Sequence, residues 1–426
     1  MKPYDKYESS GMNWLGEIPS HWEIKRIATC FSENNELNTD SSEENALQFK
    51  YGNIVGKPKI KPDDELMETF QRYTLVRVND IIINGLNLNY DFVTQRVAIV
   101  REKGIITSAY ISIRPSNGIN PFYYCYLFKS MDAMKVFNGM GVGIRRTLSY
   151  SELKQVKIPI PLIEEQNRIV AFLDDKCEQI DKTITQKERS IALLNEKKRT
   201  LIQYAVLRGI DRDCQLKYSG IDWIGDIPKH WEIRRLKTFC DFVNRGCTPS
   251  YVEESDYKVV NQATFSKGYW DETDIRFTNN NDKHGVLWPD DILLASTGGG
   301  VLGKVCKFTQ TLGVYIADSH VTIIRDSLKR FSPDYLVYLL SVNYDLINGI
   351  LAQGSTNQIE LQRNWLSNLR LPFPDLDEQQ IIVSHLDSLS EDINRAIELK
   401  RQEIEKLKEY RSILISSAVT GKIKID

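Results

Sequence analysis

The chain has 426 residues, 42% of them apolar and 26% charged. That is the composition of a globular protein, and the length is too great for one ordinary core, so two to four domains are expected. A net charge of −2 excludes an overall basic surface, so any nucleic-acid binding must rest on local positive charge or on a partner.

The N-terminus, "MKPYDKYESS", has no apolar stretch and reads as no signal peptide. No run is long enough to span a membrane, and the seven Cys form no CxxC pair. Reduced thiols in a cytoplasm are therefore expected, with no structural zinc and no membrane contact.

In chain order, the first feature is "GMNWLGEIPSHWEIKRI", residues 11 to 27. It returns as "GIDWIGDIPKHWEIRRL" from residue 220, keeping Gly, Trp, Gly, Ile, Pro, His, Trp, Glu, Ile and Arg in place. Trp14, Pro19 and Trp22, with Trp223, Pro228 and Trp231, are expected to pack. His21 and His230 beside them read as hydrogen-bonded structural residues.

Short apolar runs follow. "DIIIN" (80–84), "RVAIV" (96–100) and "YISIR" (110–114) in the first half, then "DILLAS" (291–296) and "HVTIIR" (320–325) in the second, read as strands. Asp80 and Arg114 align with Asp291 and Arg325, both 211 residues later. One helix per head is expected, over 121–137 and 333–351. Two polar loops come next at equivalent positions, "GMGVGIRRTLS" (139–149) and "GSTNQIELQR" (354–363). Arg145, Arg146 and Thr147 in the first loop are candidate DNA-binding residues, as are Ser355, Asn357 and Gln358 in the second. Arginine suits guanine edges and phosphates, and side-chain amides suit adenine.

Each half leaves its head through a Pro-x-Pro exit, "IPIPLIEEQNRIVAFLDD" from Ile158 and "LPFPDLDEQQIIVSHLDS" from Leu371. From Glu164 to about Leu207, and from Asp377 to about Thr420, there is neither Pro nor Gly, which predicts two long helices ending at Gly209 and Gly421. Apolar residues recur in them at a 3-4 spacing. The seam includes Ile180, Ile184, Ile191 and Leu194 in the first helix, and Ile393, Ile397, Ile404 and Leu407 in the second. Such a seam calls for a partner helix, and each helix is the other's obvious partner. Lys187 and Lys198 in one seam match Lys400 and Arg411 in the other, where cations weaken packing and fix register. At roughly 40 residues each helix spans about 60 Å, enough for a spacer.

The chain is thus two copies of a unit of about 210 residues. The expected fold class is α+β: two heads of mixed strands and a helix, joined by two long helices in an antiparallel coiled coil, as a pseudo-two-fold internal repeat. The division expected along the chain is 1–157, 158–212, 213–370 and 371–426. The segments 4–16 and 213–225 also resemble each other, so the repeat reads as a cycle cut once. Antiparallel helices should then place residue 426 near residue 1.

Catalytic motifs are missing. "STGGGVLGKV" holds Gly298, Gly303 and Lys304 at P-loop spacing, but Val305 stands where a Mg²⁺-binding hydroxyl is required. The following "KVCKF" alternates like a strand, so a glycine-rich strand turn is expected. The five His make no H-E-x-x-H, and no G-x-S-x-G, dinucleotide fingerprint or acidic metal pair is present. An Asn or Asp before Pro-Pro and an aromatic, the short methyltransferase signature, is also absent. The residues describe a binder.

The openings at Trp14 and Trp223, the exits at Pro159–Gln166 and Pro372–Gln379, the long helix after each exit and the near-duplicate halves together resemble the specificity subunit of Type I restriction-modification systems. The resemblance covers essentially the whole chain. It implies two target recognition domains, at 1–157 and 213–370, each reading one half of a split asymmetric sequence in double-stranded DNA. It implies a non-catalytic chain that docks two methyltransferase subunits and, in the larger complex, restriction and translocase subunits. This chain would bind no cofactor; S-adenosylmethionine, ATP and Mg²⁺ would belong to the partners. The family's base-reading residues vary too much for any to be carried over by motif. The alternative is a coiled-coil adaptor with two protein-binding heads and no DNA recognition.

Overall fold

The structure is a computed structural model. It describes residues 2–58, 64–89, 95–140, 146–279, 283–298, 300–345, 349, 352–353 and 359–425.

The chain divides into two compact units. One comprises Met1–Glu188 with Arg401–Asp426, the other Arg189–Lys400. Each unit therefore holds a head, the first part of the long helix that follows it, and the last part of the other long helix. These units cut across a linear division at 157, 212 and 370, because both helices are shared between units.

Each head is built on a four-stranded antiparallel sheet with the same strand order. In the first head the order is Phe31–Glu33, Ile111–Pro115, Ile81–Ile83, Val97–Ile99. In the second it is Phe242–Arg245, Val321–Arg325, Ile292–Ala295, Val305–Lys307. Ile81, Ile82 and Ile83 are all fully buried, as are Ile292, Leu293 and Leu294. These continuous apolar runs, without alternation, mark strands covered on both faces. Around this shared sheet the heads differ. The first adds a hairpin, Leu47–Lys50 with Asn53–Gly56, and the pair Thr74–Val76 with Gly104–Ile106. The second adds another four-stranded sheet, in which Tyr257–Val260 runs parallel to Val314–Ala317.

Entry and exit of each head lie side by side. Glu23–Arg26 pairs antiparallel with Lys157–Ile160, and Glu232–Arg235 with Arg370–Phe373. The expectation of one helix per head needs correction. The helix over 121–137 stops at Ala133, and a separate 3-10 turn, Phe137–Gly139, follows. Lys135 between them adopts φ +60°, which breaks the helical run. In the second head the helix covers Pro333–Val342; Tyr344, Asp345 and Gly349 are again helical, and residues 346–348, 350 and 351 of the expected span lie outside the described residues. The first head also carries the helix Asp64–Gln71, and each head has further short helical turns.

The long helices run Ile163–Arg208 and Leu376–Val419. Each ends on a glycine in the left-handed region, Gly209 and Gly421, both at φ +73°, the usual helix stop. Cross-helix bonds show the antiparallel pairing. In the first unit Lys187 Nζ lies 2.6 Å from Glu403 Oε2, and Arg411 NH1 2.6 Å from Asp181 Oδ1. In the second unit Lys198 Nζ lies 3.1 Å from Asn394 Oδ1. One number rises as the other falls. Ile180, Ile184, Ile393, Ile397 and Ile404 are buried, while Ile191, Leu194 and Leu407 are half-buried. Lys187, Lys198 and Arg411 reach polar partners on the opposite helix through long apolar stems, and burial holds the Lys198 ammonium below its ordinary pKa.

The glycine-rich segment after Ala295 is a hairpin connection. Leu294 pairs with Val305, and Gly303 N donates to Ala295 O at 2.8 Å. A strand follows Lys304, so no helix N-terminus stands there to hold a phosphate. Among the described residues no helix is long and apolar enough to cross a membrane, and no cluster of His, Cys, Asp or Glu could hold a metal.

The chain ends meet within the first unit. Lys424 N donates to Lys2 O at 2.9 Å, and Tyr7 Oη donates to Lys422 O at 3.4 Å. Joining the termini and cutting within 209–219 moves the break to a polar link and leaves the core packing in place. Such a permutant should stay soluble and keep its helix content, with a melting temperature within about 5 °C of the parent, which corresponds to roughly 1–2 kcal/mol. Circular dichroism and thermal melting check this.

Candidate nucleic-acid interface

The residues that the two halves share converge on one junction per head. Glu165, on the first turn of its helix, is buried and accepts three hydrogen bonds. They come from Trp22 Nε1 (3.1 Å), Tyr4 Oη (2.5 Å) and His21 Nε2 (3.0 Å). Glu378 repeats this with Trp231 Nε1 (2.8 Å) and His230 Nε2 (2.9 Å). A buried carboxylate needs such donors, and a helix N-terminus favours its charge.

The next residue ties in the head helix. Gln166 accepts from Asn120 N (2.9 Å) and donates to Pro161 O (2.8 Å). Gln379 accepts from Ser332 N (2.8 Å) and donates to Pro374 O (2.9 Å). Asn120 and Ser332 are the caps of the two head helices. Each head helix also carries a Tyr-x-x-Tyr pair that grips both long helices. Tyr123 Oη donates to Val419 O and Tyr126 Oη to Asp174 Oδ1; Tyr335 Oη donates to Val206 O and Tyr338 Oη to Asp387 Oδ1. Burial pushes the Tyr123 and Tyr335 hydroxyls far above the ordinary tyrosine range, so they stay neutral donors.

The aligned acid and base of each head form an ion pair behind the sheet. Arg114 bonds both oxygens of Asp80 at 2.9 Å, and Arg325 both oxygens of Asp291 at 2.6 Å. Burial pushes the Asp291 carboxyl upward, and the Arg325 bonds oppose that shift.

Where the helices and the ion pairs fix the heads, a backbone ladder holds the described ends of the candidate loops, 146–149 and 359–363. In the first head Leu148 N donates to Gly85 O (2.9 Å) and Leu88 N to Arg146 O (3.1 Å). In the second, Leu361 N donates to Ser296 O (2.9 Å) and Gly298 N to Ile359 O (3.1 Å). A Cβ on Gly85 would fall 2.3 Å from Leu148 O, so the approach requires glycine. In both heads the loop before the exit is thus stitched to the segment after the Ile81–Ile83 or Ile292–Ala295 strand.

Of the candidate DNA-binding residues, Arg146 and Thr147 sit on this ladder. Thr147 is exposed and Arg146 has φ +36°. Arg145, Ser355, Asn357 and Gln358 lie outside the described residues. Beside the second ladder stands a polar group that sequence reasoning missed. Gln262 Nε2 donates to Thr297 Oγ1 (3.3 Å), and Thr297 Oγ1 lies 2.8 Å from His320 Nδ1. Three segments far apart in sequence bring these side chains together, so no local motif could have found them.

Comparison with known proteins agrees with this layout. The family model described as "Type I restriction modification DNA specificity domain" matches residues 19–193 and again 228–409. The MjaVIII specificity subunit of Methanocaldococcus jannaschii, a Type I restriction enzyme subunit, is 24% identical over 438 residues, covering 96% of this chain and 94% of its own. The EcoKI specificity subunit of Escherichia coli K12 is 25% identical over 214 residues, covering 47% of this chain and 44% of its own. In fold, the crystal structure of the HsdS subunit from Thermoanaerobacter tengcongensis is similar with a TM-score of 0.55 at 18% identity, covering 95% and 98% of the two chains. A chain from a structure of complex assembly and conformational transition of the type I R-M system reaches a TM-score of 0.73 at 17% identity, covering 95% and 99%.

Glu165→Ala would strand the buried Trp22 and Tyr4 donors and should destabilise the first unit by about 1–3 kcal/mol. Asp291→Ala would leave Arg325 buried and unpaired and should cost the second unit about 3–5 kcal/mol. Urea denaturation of each variant measures both effects.

Proposed function

Because this chain belongs to the Type I restriction-modification DNA specificity family, whose members are non-catalytic subunits that recognise DNA, we propose that its two heads read different halves of one bipartite, asymmetric target. One observation carries the reading. The heads share a sheet order, a carboxylate junction and a loop ladder, yet surround them with unlike strands: a hairpin and a strand pair in one, a second four-stranded sheet in the other. Two different sequences read from one repeated scaffold require that combination. The reading heads are 1–157 and 213–370, and the long-helix segments 158–212 and 371–426 carry them.

The partners are two adenine methyltransferase subunits and, in the larger complex, restriction and translocase subunits. S-adenosylmethionine, ATP and Mg²⁺ enter with those partners. The long helices supply apolar surface for docking, since Leu193, Leu399, Tyr410 and Ile413 are exposed there. Contacts to DNA are assigned to the loops on the ladders: Arg145, Arg146 and Thr147 in the first head, Ser355, Asn357 and Gln358 in the second. The arginines suit guanine edges or phosphates, and the amides suit adenine.

Exchange of residues 20–155 for the equivalent segment of a relative tests the assignment. Methylation mapping of the assembled complex should show one half of the target changed and the other intact; both halves altered, or neither, would refute it. Arg146→Ala should weaken DNA binding. If the arginine bonds a base, the variant also relaxes one target position, by about 1–3 kcal/mol. If it bonds a phosphate, the variant binds every sequence less tightly and its salt dependence is shallower. A chain that assembled with its partners but showed no salt-sensitive DNA retention would be an adaptor instead.

A further inference from the structure

Among the described residues a polar relay stands in the second head alone, and the shared scaffold has no need of it. Gln262 starts a short 3-10 turn, Thr297 follows the Ile292–Ala295 strand, and His320 closes the tight link between Val314–Ala317 and Val321–Arg325. Strand register sets the repeat correspondence here. Ile83 pairs with Ile111 as Leu294 pairs with Thr322, an offset of 211 on both strands. By that offset Leu86 stands for Thr297 and Ala109 for His320 in the first head. The junction residues Trp22, His21, Glu165 and Gln166 recur in the second head as Trp231, His230, Glu378 and Gln379, whereas residues that read different sequences must differ. The relay has the second signature.

We propose that His320, oriented by Thr297 and Gln262, is a specificity-determining residue of the second head that donates a hydrogen bond to a purine of its half-site. The inference rests on the DNA-reading function proposed above.

The chemistry follows from the direction of the relay. A glutamine Nε2 can only donate, so Thr297 Oγ1 accepts from it at 3.3 Å. The proposed relay runs on from the threonine hydroxyl, which donates to His320 Nδ1, 2.8 Å away. In that tautomer the imidazole proton stands on Nε2, on an exposed ring. The backbone under the ring is held as well, since His320 N donates to Asp318 Oδ1 at 2.9 Å. A fixed donor is what a purine edge requires, where N7 accepts in both bases and O6 also accepts in guanine.

The glycine-rich turn gains a purpose beside it. Gly298 has φ +87°, and a Cβ there would meet Gln262 Nε2 at 3.7 Å. Gly300 is exposed, with nothing within 4 Å of its Cβ position. Bare backbone next to the relay lets a duplex come close. Lys304, exposed at the end of the same turn, holds its ammonium 4.7 Å from the Tyr344 ring centroid, and a cation there can also meet a phosphate.

The test uses the full chain in complex with its methyltransferase partners, once the wild-type target is mapped by methylation sequencing. Competition binding is then measured on duplexes carrying 7-deazaguanine or 7-deazaadenine at each purine of the second head's half-site. The expected result is one purine at which removal of N7 weakens the wild-type complex about ten-fold or more. The same substitution should not weaken His320→Ala further. Thr297→Val should abolish discrimination at that purine, and Thr297→Ser should keep it, which a merely structural role would not produce. The proposal is overturned if His320→Ala leaves the mapped sequence unchanged, or if it lowers affinity equally on all sequences. A wild-type complex with no sequence preference would bring down the parent reading; a specific wild type with an indifferent His320→Ala brings down this inference alone.

Discussion

The rest of each unit hangs on one carboxylate at the start of a long helix, buried at Glu165 and half-buried at Glu378. Glu165 and Glu378 each accept an indole N–H from the opening motif of their own head. The cost of burying the charge is offset only while those donors stay in place, so the carboxylate selects one docking geometry. The adjoining glutamine anchors the head helix through its cap. The glycine ending the opposite long helix reaches the same indole: a Cβ on Gly421 would lie 3.0 Å from Trp22 Cη2, and one on Gly209 3.4 Å from Trp231 Cζ2. Opening strand, exit, head helix and far helix end meet at one point, although they are separated by up to the whole length of the chain.

This accounts for which residues the halves share. Pro19, His21, Trp22, Glu165 and Gln166 recur as Pro228, His230, Trp231, Glu378 and Gln379 because each occupies a junction where a change would strand a buried polar group or a close backbone approach. The cations of the seam obey a different logic. Lys187, Lys198 and Arg411 find polar partners across the helix pair, and mispairing by one turn would bury them without such partners. Register is specified at some expense in packing. Function is then free to vary on the heads, on loops whose described ends are pinned by backbone bonds, with glycine required at Gly85 on the facing segment of the first head.

Much of the architecture was legible in the sequence because it rests on local rules. Helix limits at Gly209 and Gly421, the five apolar strands and the strand character after Lys304 follow from glycine conformation and hydrophobic pattern. Even the Asp–Arg ion pairs were visible as aligned positions, 80 with 114 and 291 with 325, though not as a contact. The first head helix was read too long, since 121–137 keeps an apolar pattern beyond Ala133 where the backbone turns away. The candidate site was legible only as loops. Gln262, Thr297 and His320 carry no signature at all, being assembled from three segments.

By itself the sequence determined the repeat, the two long helices, the α+β heads and the family, because repetition and periodicity survive without knowledge of any contact. Tertiary structure alone decided two things. It made the compact units from a head and parts of both helices, and it placed a relay in one head where the other has Leu86 and Ala109. The physical reason is the same in each case. Hydrogen bonds between distant segments depend on where the chain is folded back, and spacing along a sequence does not encode that distance.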